Sequence, residues 1–145
     1  MDHPTGTGEA GGAAEVIETV VRRFEACDFK PDEFKHRHHL TVALWYLLTM
    51  DEASAFRRMR EGLVRLISHY GLSGYNETTT LFWLKRASHA LKTLDTRRPA
   101  AEVIAEAVEL CGGSRTVFSY YSEERLSSDE AKAGWVGPDV RPLDF

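Results

Sequence analysis

Apolar side chains recur every three or four positions through most of this chain, and no stretch alternates with the period of two that a strand requires. Val16, Val20, Val21 and Phe24 set the spacing first and predict a helix over about Ala13 to Cys27. Pro31, in "DFKPDEF", breaks it. From about Phe34 to Met50 the pattern changes character. Leu40, Val42, Leu44, Trp45 and Leu47 leave hardly a polar side, which suits the central member of a bundle. From about Glu52 to Tyr70 the pattern is one-sided. Ala55, Met59, Leu63, Leu66, Ile67 and Tyr70 form the inner face, and Arg57, Arg58, Arg60, Glu61 and Arg65 the outer one. "GLSGYN" ends that helix on glycine and offers Asn76 as the N-cap of a fourth, running to about Leu94. Pro99 suits the first turn of a fifth, to about Leu110, and Gly112 and Gly113 end it. The remainder predicts one or two short helices and an extended tail. The expected fold is all-α, a single-domain bundle of about five helices with a polar pocket at one end. Residues 1–12 are expected to be a disordered lead-in that includes His3, 13–136 the helical domain, and 137–145 a tail.

A chain of 145 residues with 43% hydrophobic content can bury one core and needs no second domain. The net charge of −4 comes from interspersed signs, so neither a nucleic-acid stripe nor a polybasic membrane patch is expected. The longest apolar run, Val42 to Leu48, is far too short to span a bilayer. No apolar leader opens the chain, and Cys27 and Cys111 make no CxxC pair, so a cytoplasmic protein with reduced thiols is expected.

Chemistry concentrates in "FKHRHHLTVALWYLL". His36 and His39 are three apart and continue into Ala43, Leu47 and Met50, one helical stripe that faces the core. Glu77 heads a second such stripe through Leu81, Leu84, Ser88 and Leu91. Short connections make antiparallel neighbours, so the second helix starts, the third ends and the fourth starts at one pole. His36, His39, His69 and Glu77 should meet there. Two neutral imidazoles and a carboxylate suit a divalent ion, iron or zinc, and helix N-termini favour those protonation states. The expected ligands are His36, His39 and Glu77. His38 and His69 are candidates to complete the shell or move protons, Thr80 to line the pocket, and Tyr121 to donate a proton.

Each of these has a plainer alternative. The histidines and Glu77 can form a hydrogen-bonded cluster that closes the bundle end, and His69 can cap carbonyls. Thr78, Thr79 and Thr80 can bond back to the preceding turn, Tyr120 and Tyr121 can be a packing lid, and the thiols can be packed rather than reactive.

"FKHRHHLTVALWYL", "GLSGYNETTTLFWL" and "SYYSEERLSSDEAKAGWV" together resemble a small, uncharacterised bacterial all-helical family. Its pattern reads F-x-H-x-x-H, then Y-H-E-T-x-T, then Y-Y-S, and the likeness covers about residues 34–136. It implies His36, His39, Glu77 and Thr80 as shared positions. The chain departs at Asn76, where the pattern has histidine. The resemblance implies a shared pocket and attaches no reaction to it.

The expected function is a small metal-dependent enzyme acting on a small organic molecule, possible in specialised metabolism. The alternatives are metal-free acid–base catalysis in the same pocket (an isomerase, dehydratase or cyclase), or a non-catalytic small-molecule-binding or dimerising protein. Trp45, Phe82 and Trp83 offer more aromatic surface than one helix face needs, which makes a homodimer a further expectation.

Overall fold

The fold follows from one helix that is apolar on opposite sides. A computed structural model of the chain describes the backbone of residues 5–145 and the side chains of 12–145. Its five main helices are α1 (Thr5–Glu25), α2 (His36–Thr49), α3 (Glu52–His69), α4 (Glu77–Lys92) and α5 (Ala100–Cys111). A 3-10 helix (Ser114–Ser119) and two short helices, α6 (Glu123–Leu126) and α7 (Asp129–Ala133), follow. Among the described residues there is no strand, and no helix is long and apolar enough to cross a membrane.

α2 packs against α1, α3, α4 and α5. Leu40 and Leu44, one turn apart, enter a core shared with Phe82, Trp83, Val103, Ile104 and Tyr121. Val42, Ala43 and Tyr46 enter another with Phe24, Phe29, Met59 and Leu66. This double service is why the α2 pattern has no polar side. Of the three aromatics expected to offer a dimer surface, Phe82 and Trp83 are 0% and 3% exposed and lie in the core, while Trp45 is half-buried.

Local chemistry starts each helix where the sequence places it. The Asp51 carboxylate accepts the Ser54 N–H at 2.7 Å, and Asn76 Oδ1 accepts that of Thr79 at 2.9 Å. Ser122 and Ser128 do the same for α6 and α7. The first helix differs from its expected span. It begins at Thr5 rather than Ala13, so part of the expected lead-in is helical backbone, while His3 lies outside the described residues.

The expected tail is not a free extension. Val140 N–H donates to Tyr120 O at 2.9 Å, and the Tyr120 hydroxyl donates to Asp144 Oδ1 at 2.7 Å. The Phe145 ring packs on Phe82, 5.4 Å between centroids. The fully buried Thr78 ties this region to α4. Its hydroxyl donates to Gly134 O at 2.7 Å and accepts the Val136 N–H at 3.1 Å. Thr78→Val keeps the shape and strands both backbone groups. A loss of about 1–3 kcal/mol is expected in urea unfolding; a change within error would show that these bonds are replaced by water at no cost.

Candidate functional site

The start of α2 meets the end of α5 and the middle of α4, not the end of α3 and the start of α4. His36, at the start of α2, contacts Trp83 of α4, ring centroids 4.5 Å apart, and Gly112 at the end of α5. α2 therefore runs beside α4 in the same direction and against α5. α3 runs against α4: Glu52 at the head of α3 accepts from Ser88 near the foot of α4.

This arrangement does not bring the three expected metal ligands together. His36 Nε2 lies 2.9 Å from Gly112 O. A carbonyl only accepts, so Nε2 carries the proton and caps the end of α5, whose last carbonyls have no partners in their own helix. Arg86 does the same from α4, Nε to Cys111 O at 2.6 Å. Both donors favour the negative end of α5. Glu77 is held elsewhere. Its carboxylate receives Arg60 from α3, Nη2 to Oε2 at 3.0 Å, and the Tyr75 hydroxyl at 2.7 Å. Trp83, the level of His36, lies roughly 9 Å further along α4 than Glu77 and roughly 120° round its axis. Among the described residues no group of three or more His, Cys, Asp or Glu side chains could hold a metal ion.

His39 is the unusual member. Its Nε2 is shut off from solvent and has no hydrogen-bond partner among the described residues. Burial, then the nearby His36, depress its pKa to about 4, so it is neutral at pH 7.

The remaining candidates have structural partners. His69 is exposed at the end of α3, edge-on to Tyr70. It does not reach the pole because α3 overshoots: Arg60 meets the head of α4, and His69 lies roughly 13 Å beyond Arg60. The Thr80 hydroxyl bonds back to Asn76 O at 3.0 Å. Tyr121 is fully buried and donates to Val136 O at 2.6 Å, with burial pushing its phenol up to about 12. Asn76 also donates to Leu126 O at 2.7 Å, joining α4 to α6. Cys27 and Cys111 are free and buried, and burial raises the Cys111 thiol to about 11. Tyr75, absent from the expected set, is a half-buried phenol that donates to Glu77; burial above all raises it to about 12.

An open site lies along the other flank of α2. Between α1 and α5 run two adjoining hollows of about 530 and 550 Å³, within the range of small-molecule sites. They share Ala13, Ile17, Ala101 and Ala105 as walls. His38, Thr41 and Trp45 line them from α2, at the spacing of one helical face. Alanines at 13, 101 and 105 are too short to close α1 onto α5 above Trp45. The Trp45 end carries Glu18 and Glu102 among its apolar walls; the other carries Arg37, His38 and Glu109. His36, His39 and Glu77 line neither hollow.

His38 is thus the one expected site residue that meets this groove. Its Nδ1 accepts the Lys35 N–H at 3.0 Å. Burial first, and then the charges of Arg37 and Arg23, lower its pKa. The signal for the groove was present in sequence as the alanines of "AAEVIAEAVEL" opposite Ala13 and Ile17, a pattern indistinguishable from ordinary helix composition without the third dimension.

No protein-family model, curated protein or solved structure matches the chain.

Proposed function

We propose that the chain binds a small organic molecule in the groove between α1, α2 and α5. The observation that carries this reading is an open hollow with mainly apolar walls and a few polar groups, the usual composition of a ligand site. The expected polar pole supports catalysis less well, because His36 is committed to backbone and Glu77 to Arg60 and Tyr75. The half-buried Trp45 is the largest side chain lining the groove.

Small organic fragments titrated into the labelled protein test this by NMR. Hits are expected to perturb the Trp45 indole and the Ala101 and Ala105 methyls together. Ala105→Trp, at an exposed position, should block them without lowering stability. Fragments that bind only elsewhere, or that ignore Ala105→Trp, would overturn the reading.

A metal-dependent enzyme is the second reading, and one observation favours it: the unpartnered Nε2 of His39. The residues around it do not fit an ion as they stand. His36 would have to release Gly112 O, and Glu77 would have to release Arg60 and Tyr75. Elemental analysis of the purified chain and of His39→Ala decides it: one iron or zinc per chain, lost in the variant, supports this reading.

A further inference from the structure

This inference rests on the groove being a binding site and concerns the charge of its ligand. The hollow over Trp45 carries charge of one sign. Glu18 lines it from α1 and Glu102 from α5, and among the described residues no lysine, arginine or histidine does. Both carboxylates are exposed, and neither makes an ion pair among the described residues. Arg98 feels the charge of Glu102 but is spent on Glu106, Nη2 to Oε2 at 2.6 Å. In the adjoining hollow Arg37 and Glu109 offset each other in sign, so the groove as a whole is negative.

The floor of the hollow is a separate observation. Elsewhere in this chain arginine and lysine lie over aromatic rings, Arg23 over Phe29 and Lys85 over Trp135 among them. Trp45 is of the ring type that holds a cation best. It has neither a cation nor a second ring against it among the described residues. Its uncovered part borders the hollow that holds the two carboxylates. The apolar walls, Ala13, Ala14, Ile17 and Pro99, keep water from part of any guest and so strengthen a charge pair there over one in open solvent.

We infer that the ligand is a small organic ammonium, a protonated amine with an apolar body. Its positive charge lies at Glu18 and Glu102, the carbons next to its nitrogen on Trp45, and its body along the alanine walls. An ammonium donates charge-assisted hydrogen bonds to both carboxylates, which come to it from two different helices. An anion is repelled by the same pair, and a neutral guest leaves the pair unmatched. A hollow of about 530 Å³ takes a body of one or two rings.

Naphthylmethylamine, charged at pH 7, and its neutral counterpart naphthylmethanol test this, titrated into the full chain by calorimetry with the Trp45 indole followed by NMR. The amine is expected to bind about tenfold more tightly at low salt, the scale of an exposed ion pair and a cation–π contact together. Added salt should shrink the difference. The double variant Glu18→Gln, Glu102→Gln should abolish it and leave the affinity for the alcohol unchanged; both positions are exposed, so the fold is not at stake. Glu109→Gln, at the far end of the groove, should leave the preference intact. Equal binding of amine and alcohol, a preference that survives the double variant, or one that Glu109→Gln removes overturns the ammonium assignment while the groove reading stands. If no fragment and neither probe perturbs Trp45, both readings fall together.

Discussion

Phe24→Ala is expected to destabilise the protein by about 3–5 kcal/mol, the cost of deleting a fully packed aromatic ring. Phe24 is 0% exposed, and its ring stacks on Phe34 at 5.3 Å between centroids. It also lies against the backbone of α3, where a Cβ on Gly62 would overlap it. The ring thus joins α1, α3 and the connector that leads into α2. The surrounding groups are helices and aromatic rings that cannot collapse into the space, which puts the cost in the upper range for such deletions. A domain of this size has only about 5–15 kcal/mol of stability in total, so a large fraction is lost. Urea unfolding followed by far-UV circular dichroism measures it. Should Phe24→Ala prove too unstable to purify, Phe24→Leu is expected to give a smaller loss in the same direction. A loss under about 1 kcal/mol for the alanine variant would mean that α1 is not packed as described.

The second large effect is acid sensitivity at His39. Its folded pKa of about 4 lies below the ordinary histidine value of 6.5. Above about pH 6.5 the ring is neutral in both states and the burial is tolerated. As pH falls from 6.5 toward 4, the unfolded chain takes up a proton here and the folded chain does not, so stability falls through that window. The full displacement corresponds to about 3 kcal/mol, complete only below the folded pKa. Carboxylates titrate nearby in pH, so the comparison is with His39→Leu, which keeps an apolar body of similar size and removes the titration. The variant should be no less stable than the parent at pH 7, because the unpartnered nitrogen is gone. Between pH 7 and 4 its stability should fall less than the parent's by that amount. Parallel pH profiles for the two proteins would show that His39 is solvated or hydrogen-bonded in solution.

How much of the site was legible can be followed residue by residue. The stripe of His36 and His39 begins at the start of α2, beside the end of α5 and the middle of α4, while the end of α3 runs on past the head of α4. Helix direction alone puts all these ends at one pole. What direction cannot supply is height and rotation. Arg60, read as an outward residue of α3, reaches Glu77 because the head of α4 meets the middle of α3. His36 turned to the carbonyl of Gly112 because the end of α5, distant from α4's head in sequence, arrives beside it. Both groups found partners that spacing within one helix does not reveal. The groove on the opposite flank went unread for a related reason. Alanine is a good helix former and says nothing about whether a space beside it is filled.

By itself, the sequence determined the helices, their order and the central position of α2. Those properties are local: 3.6-residue periodicity, a capping Asp51 and Asn76, and glycine and proline at the breaks act over one or two turns of chain. Only the tertiary structure decided that the histidine pole is tied up by backbone carbonyls and an arginine, and that the open cavity lies between α1 and α5. Those outcomes depend on how far each helix slides and rolls against its neighbours, which is set by side-chain shapes distant in sequence packing to a common density.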